Sequence, residues 1–400
     1  MKTVIIGGGP SGMAAAIAAS YSGDEVHIYE KNEKLGKKLF ITGKGRCNLT
    51  NASDMKTVME NVVSNPRFLY SSFGNFSNED IVELIERNGC KTKVERGNRV
   101  FPESDHSYDV IDALKKELKK CGVRVHLNHP VKKLNVEDGI CTGFDNVNAD
   151  KVIVATGGLS YASTGSTGDG LKWASENGLS VTDTRPALVS LNTREKVAQM
   201  AGLSLKNISA AFFHGGKQVY EEFGEMLFTH TGVSGPVVLS GSSYVSRFLP
   251  GEVLMKIDLK PALDREKLDE RILRDFNENL NRELKNSLGK LLPSGLIGEV
   301  IRQSGINQYK RVNEITRKER ESLVNALKEL TFTVTSTGGW DEAIITQGGV
   351  SVKNINPKTM ESKPVKNLFF AGEVLDTDAL TGGYNLQIAW STGWTAGTHI

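Results

Sequence analysis

Cysteine is scarce in this chain. The four are Cys47, Cys90, Cys121 and Cys141, and no two form a CxxC pair. A disulfide framework and a zinc ribbon are excluded as organising devices, and no His, Asp or Glu spacing supplies a metal set. An excess of charge of one sign is missing too: 49 Lys and Arg face 47 Asp and Glu, a net of +2. That balance excludes a strongly basic wrapper of nucleic acid. No apolar run reaches the ~18 residues that would span a bilayer. Met1 leads directly into an apolar strand, not into the charged and apolar regions of a leader. A reduced, cytoplasmic protein without membrane attachment is expected. Repeats and low-complexity tracts are absent, and nothing reports an oligomeric state. With 39% apolar and 24% charged residues, a disordered chain is excluded. The 400 residues predict two or three domains at ~150 residues each.

Glycine is abundant instead, at 41 of 400 residues, where about 7% is usual. Nineteen of them lie in five short segments: 7–12, 36–45, 157–170, 338–349 and 372–383. Glycine goes where backbone turns tightly or approaches something closely, so these loops mark candidate ligand surroundings.

The first segment has a specific context. Residues 2–6 read as a β-branched strand, 13–19 as an Ala-rich helix, and 25–29 as a second strand ending at Glu30. This is strand, GxGxxG, helix, strand and acid, the dinucleotide fingerprint. Gly7 serves the tight turn, Gly9 the approach of a pyrophosphate, and Gly12 the close packing of helix on strand. Pro10 and Ser11 open a helix whose N–H groups and dipole face phosphates. Glu30 can accept from a ribose diol. No second fingerprint appears, because Gly165–Gly170 has the wrong spacing. One N-terminal fingerprint with glycine returning near the C-terminus favours FAD over a single NAD fold. A loop with cationic side chains, Gly36 to Asn51, follows the second strand. A Gly382-Gly383 turn opens a late helix whose N-terminus can face a flavin pyrimidine edge.

With these segments in view, the chain closely resembles the BaiN/YhiN (RdsA) family of flavoproteins. The matching pieces are Gly7–Gly12, Thr42–Asn51 (TGKGRCNLTN), Arg99–Pro102, Ala155–Gly158 with Gly165–Gly170, Gly224–Pro236, Gln347–Val350, Thr359–Lys363 and Ala371–Gln387. They span the chain in order. The resemblance implies one FAD per chain and an α/β architecture, a Rossmann-type FAD-binding domain with an inserted small β-domain and an inserted helical domain. It implies an FAD-dependent oxidoreductase of ene-reductase type that uses NAD(P)H to reduce an activated C=C bond. The substrate is either uracil in ribosomal RNA, giving dihydrouridine, or an enone of steroid or bile-acid type. A non-enzymatic reading stands beside it: a flavin-binding redox sensor or an RNA-binding flavoprotein.

The expected plan is an FAD-binding domain at 1–190 and 342–400, a β-rich substrate domain at 191–260 and 330–341, and a helical domain at 261–329. Short alternating strands at 188–191, 205–213, 217–220 and 253–259 carry the β-rich part. Leu268, Ile272, Leu273, Phe276 and Leu280 form an apolar stripe of the helical part. From 260 to 330 there are 15 Lys/Arg against 12 Asp/Glu. The densest basic points are Lys310-Arg311 and Arg317–Arg320, where an RNA reader would meet phosphates, although on composition alone a solvated helix face is the favoured explanation.

Hydride chemistry belongs to the flavin, and the protein adds orientation and a proton donor. Cys47, Tyr384 and His230 are the candidate catalytic groups. The candidate cofactor contacts are Gly7, Gly9, Pro10, Ser11, Gly12, Glu30, Lys31, Lys38, Thr42, Gly45, Arg46, Cys47 and Asn48. They continue with Ala155, Thr156, Gly157, Gly372, Glu373, Asp376, Asn385, Leu386 and Gln387. By the resemblance, Val131 offers backbone to the adenine. Lys38 and Arg46 are read as cations for the pyrophosphate, and Asp376 and Asp378 as partners of ribityl hydroxyls or as pocket lining.

Overall fold

Five parallel strands form the sheet that carries the N-terminal glycine loop. Lys2–Ile6 lies in the middle, with Glu25–Tyr29 and then Arg124–His126 on one side. Lys151–Val154 and then Leu368–Phe370 lie on the other. A parallel sheet covered on both faces requires near-continuous apolar runs. Val4-Ile5-Ile6, Val152-Ile153-Val154 and Leu368-Phe369-Phe370 supply them, all buried. Because the chain crosses from one side of Lys2–Ile6 to the other, a topological switch point lies at that strand's carboxyl end, where α/β sheets bind ligands.

The structure is a computed structural model that describes residues 1–278 and 280–398. It has two compact units: Met1–Ala187 together with the chain from Trp340 onward, and Leu188–Gly339. No described helix is long and apolar enough to cross a membrane.

In the first unit the Ala-rich helix Pro10–Tyr21 packs against the late helix Tyr384–Thr398. Small residues make this close approach possible. A methyl group at Gly393 would collide with the Ser11 backbone, and one at Gly397 with the backbone of Ala15. Gly12 faces the strand instead, its α-carbon against the Gly7 carbonyl oxygen.

The second unit is a closed six-stranded barrel with helices on it. In barrel order the strands are Leu191–Thr193, Gly232–Ser234, Lys217–Phe228, Ser204–His214, Val253–Asp258 and Leu330–Thr337. Full closure leaves no open edge. The helices Arg265–Asn277, Ser294–Ser304 and Arg317–Lys328 follow. Leu268, Ile272, Leu323 and Leu327 join Phe212, Met255 and Phe332 in one apolar cluster, so the β-rich and helical segments share a core instead of owning separate ones. Two local expectations need correction. Leu188 adopts a positive φ and the first strand begins only at Leu191. The apolar stripe is narrower than its pattern, since Leu273 and Leu280 are 38% and 49% exposed. Burial follows the 268, 272, 276 row, one residue per turn.

The edge pairing of Glu25–Tyr29 with Arg124–His126 brings two imidazoles together. His27 Nδ1 and His126 Nε2 are 2.9 Å apart, and the His126 ring stacks on Tyr29 with centroids 4.4 Å apart. One hydrogen bridges two ring nitrogens, so double protonation is disfavoured. Burial holds His126 below its ordinary value, and the charges of His27, His129, Arg124 and Lys2 add to the effect. The same strand end holds the fingerprint acid, whose Glu30 N–H donates to the His126 carbonyl at 2.9 Å.

Two outcomes follow from this packing. Gly12→Val should destabilise the protein by about 3 kcal/mol or more, because overpacking here meets backbone and not a movable side chain; denaturant unfolding reads the loss. A depressed folded-state His pKa gives stability that is complete above the unfolded value of about 6.5 and is lost as pH falls. The melting temperature should therefore drop between pH 7 and pH 5, and His126→Asn should make that drop smaller.

Candidate functional site

The glycine loop sits at the switch point. Gly7, with φ +112°, donates its N–H to the Tyr29 carbonyl at 2.9 Å, and its α-carbon lies against the Ala155 carbonyl. Gly8 N–H donates to Glu30 Oε2 at 2.7 Å. Glu30 Oε1 accepts from the Asn32 backbone N–H at 2.8 Å and from its amide at 2.7 Å. A carboxylate so held keeps its acceptor lone pairs at the end of the second strand. Gly9 differs from its neighbours, because a methyl group there would meet only open space. It caps the helix whose first residue is Pro10, and no side chain supplies the N-terminal hydrogen bond. An uncapped, positively polarised helix end beside an open glycine suits a diphosphate.

The late helix extends this site. Gly393 meets Ser11 and Gly397 meets Ala15, so the two helices run in the same direction. Nine residues separate Tyr384 from Gly393, and at 1.5 Å per residue the late helix begins about 13 Å ahead of Ser11. Gly382 and Gly383 precede that start. Gly383 presses on the Thr50 backbone, and Asn51 Nδ2 donates to the Gly382 carbonyl at 3.0 Å. The Thr42–Asn51 loop and the late helix start are thus one structural piece. Gly372 lies against the Ser11 side chain. His129 N–H donates to the Glu30 carbonyl at 2.9 Å, which keeps the half-buried Val131 near the acid strand's end. Gly157 and the buried Ala155 complete the turn beside Gly7.

Other expected contacts are committed elsewhere. Lys38 Nζ pairs with Glu373 at 2.7 Å and donates to Ser160 Oγ at 2.7 Å. Glu373 also accepts from Ser160 Oγ and from the Thr346 N–H, each at 2.9 Å. Arg46 lies over the Phe101 ring and pairs with Glu95 and Asp105. Lys31 reaches Asp169 at 2.8 Å. Lys38, Arg46 and Lys31 are therefore neutralised by carboxylates of this chain, contrary to the reading of the first two as pyrophosphate cations. Thr42 Oγ1 donates to the Leu39 carbonyl at 2.7 Å, while Gly45 has open space around its α-carbon. Asn385 clasps Ala379, accepting its N–H at 2.9 Å and donating to its carbonyl at 2.7 Å. Gln387 is fully buried and bonds Thr50, Phe76 and Ser391. Both amides serve the fold, and Leu386 is half-buried against the core. Ser160, Thr346 and Asn32 complete these networks and carry no motif that would single them out.

The proposed acids fare differently. Cys47 is 0% exposed, and burial pushes its thiol up to about 12. It is a packing residue and presents no thiol to a substrate, which corrects its reading as an acid. Tyr384 is buried, and burial raises its phenol while Ser53 partly offsets the shift. His230 is exposed, on the turn between Lys217–Phe228 and Gly232–Ser234.

Polar atoms left over show where a ligand fits. Among the described residues, Asn48 Oδ1, Thr156 Oγ1, Thr377 Oγ1 and Asp378 Oδ1 are buried without a hydrogen-bond partner. Native structures leave few such atoms, and these four lie on segments that flank the glycine turns. An open Gly9, an uncapped helix, an oriented Glu30 and these acceptors fit an extended dinucleotide bearing hydroxyl and imide groups.

Comparison with known proteins agrees. The model of the HI0933-like protein Rossmann domain family matches residues 1–399. The 3-dehydro-bile acid delta(4,6)-reductase of Clostridium scindens is 34% identical, covering 98% of this chain and 97% of that protein. The ribosomal RNA dihydrouridine synthase of Escherichia coli strain K12 is 31% identical, covering 98% and 96%. In three dimensions the chain is similar to 3-ketosteroid-delta4-(5alpha)-dehydrogenase from Rhodococcus jostii RHA1, with a TM-score of 0.54, 15% identity, and coverage of 99% of this chain and 96% of that one. The last likeness speaks for the fold. A Rossmann-type FAD site on a parallel sheet, matched along its whole length, makes this an FAD-dependent oxidoreductase, and the chain belongs to the HI0933-like family.

Proposed function

We propose that this oxidoreductase draws hydride from NAD(P)H and reduces a C=C bond conjugated to a carbonyl. The observation that carries the reading is the two-helix arrangement. One uncapped helix end lies at the switch point, and the start of a second helix lies about 13 Å ahead of it in the same direction, beside the loop that holds Thr50 and Asn51. That spacing suits a cofactor with a diphosphate at one helix end and a ring at the other.

FAD, when bound, supplies two-electron hydride chemistry. Gly9 and the Pro10–Gly12 turn take the diphosphate through backbone N–H groups and the helix dipole. Glu30 takes the ribose diol, already aligned by Gly8 and Asn32. The start of Tyr384–Thr398 would offer a positive dipole end to the ring of the bound cofactor and favour negative charge there. The Lys38, Ser160 and Glu373 cluster fixes the Gly157–Ser160 turn to the strand Ile345–Gln347 through Thr346. Tyr384, kept protonated, orients a carbonyl or donates to it.

Both named relatives carry out reactions that fit reduction of such a bond, on a bile-acid derivative in one case and on ribosomal RNA in the other. Charge favours a small enone here. An RNA reader keeps free cations for phosphates. Three of the five densest basic side chains are instead taken within the chain, Lys310 by Glu319 at 2.7 Å, Arg317 by Glu321 at 3.0 Å and Arg320 by Asp269, which leaves only Arg311 and Lys318.

Purified protein should be yellow, and anaerobic NADH or NADPH should bleach it. A yellow protein that neither reductant bleaches would rule out the NAD(P)H route. Glu30→Ala should lower FAD affinity about tenfold or more, through a lost charge-assisted hydrogen bond; flavin released per chain measures it. Deleting the gene should leave dihydrouridine in ribosomal RNA unchanged, while the protein consumes NAD(P)H with a steroid-like enone. Loss of an RNA site would reverse the choice of substrate.

A further inference from the structure

Among the described residues, Asp378 is the one buried carboxylate with an oxygen that the packing leaves uncommitted. It is 1% exposed. Oδ2 accepts from Gln347 Nε2 at 3.2 Å, while Oδ1 has no partner. Among the described residues no cation pairs with it. The groups that face it are Gln347, Ser64 and the carboxylate of Asp376. The next side chain back, Thr377, is 3% exposed and its Oγ1 is also without a partner.

Its backbone, by contrast, is pinned on both sides. Val63 and Ser64 N–H groups donate to the Asp378 carbonyl at 2.8 and 3.2 Å, and Leu380 N–H donates to Asn61 at 2.9 Å. Asn385, in the first turn of the late helix, grips Ala379 through both its N–H and its carbonyl. Asp378 is therefore held one residue before Ala379, which the first turn of the late helix grips. A buried, unpaired carboxylate without a cation is costly when charged and inexpensive when protonated. Such a group in a cleft is a candidate for proton exchange.

We propose that Asp378 stores a proton in step with reduction of the bound flavin, so that its carboxyl group is loaded when electrons enter the site and unloaded when they leave. This rests on the FAD reading above. NAD(P)H gives up two electrons and one proton as hydride, FAD accepts them, and the site gains one negative charge. The Asp378 carboxylate then binds one proton from solvent, and the net charge returns to its starting value. When hydride passes to the β-carbon of the C=C bond, the enolate so formed takes one proton at its α-carbon and Asp378 gives up the one it stored, so the site returns to its starting charge. Burial and the neighbouring Asp376 raise this carboxyl to about 6 in the ligand-free protein, so at neutral pH it is largely ionised and free to accept.

The test measures proton uptake on anaerobic reduction of the holoprotein at pH 7, with a pH-indicator dye. The wild type should take up about one proton per flavin more than Asp378→Asn, which keeps the shape and the Gln347 contact. Equal uptake in two yellow, fully reducible proteins would overturn the proposal and leave the FAD reading intact; a colourless wild type would defeat the FAD reading itself. Should the variant fail to fold, the reduced-minus-oxidised infrared spectrum of the wild type decides. A carboxylic-acid band that appears on reduction supports the storage role, and a flat carboxyl region overturns it. Folding gives a further readout. A raised carboxyl pKa costs stability progressively as pH rises from the unfolded value of about 3.9 to the folded value, so the melting advantage of the Asp378→Asn apoprotein over wild type should be larger at pH 8 than at pH 5. Equal melting at both would show an Oδ1 satisfied by ordered water, and would remove the basis of the proposal.

Discussion

The contact between the helices Pro10–Tyr21 and Tyr384–Thr398 is the constraint on which the first unit depends. Gly393 and Gly397 are four residues apart, so they lie on one face of their helix. They allow that face to rest on the backbone of Ser11 and Ala15. Ala14, Ala15, Ala18 and Ala19 keep the other helix equally slim. Register follows from this contact, because any larger residue would shift the pairing by its own radius. The late helix therefore starts where it does because of glycines near its end. The same helix carries the loop 42–51 against its first turns, so a single packing surface sets the distance between two otherwise remote halves of the sequence.

A buried polar network secures that loop. Thr50 Oγ1 donates to Gln387 Oε1 at 2.6 Å, Gln387 Nε2 reaches Ser391 Oγ at 2.9 Å, and Ser391 Oγ reaches the Phe76 carbonyl at 2.6 Å. Trp390 Nε1 donates to the Leu49 carbonyl at 3.0 Å. Satisfied networks of this kind specify one arrangement of their surroundings, since any alternative leaves polar atoms unpaired in low dielectric. Gln387 and Asn385 look like ligand contacts in sequence because they follow a glycine turn. In three dimensions they are the screws that hold the turn. Asn48, Thr156, Thr377 and Asp378 lie on the same loops, yet each keeps a buried oxygen free. Within one stretch of chain, committed polar groups make the frame and uncommitted ones keep acceptors in reserve.

The fingerprint was legible because its signals are local. An apolar β-branched run, three spaced glycines, an Ala-rich helix and a terminal acid each act within a few residues, and they appear together as Lys2–Ile6, Pro10–Tyr21 and Glu25–Tyr29. The helix at Tyr384 was readable for the same reason. The partners of Lys38, Arg46 and Lys31 were not, because they come from Glu373, Glu95 with Asp105, and Asp169, and sequence distance hides such pairs. Cys47 was misread because a thiol's chemistry is decided by burial, which no neighbouring residue announces. The shared core of the second unit was invisible on similar grounds. The helical stripe at Leu268, Ile272 and Phe276 signals an apolar partner without saying that the partner is the barrel.

Charge placement at the site then has a simple logic. Lys31, Lys38 and Arg46, the cations expected beside the cofactor, are each tied to carboxylates of this chain. What remains at the open Gly9 is the helix end itself, whose N–H groups are fixed in direction and carry about half a positive charge. A diphosphate held by backbone dipoles is held without a long flexible side chain that must be ordered first. The same economy explains why an isolated carboxylate such as Asp378 stands out. With Lys31, Lys38 and Arg46 held by other carboxylates, none of them is left to balance its charge, which is the condition under which the proposed proton storage works.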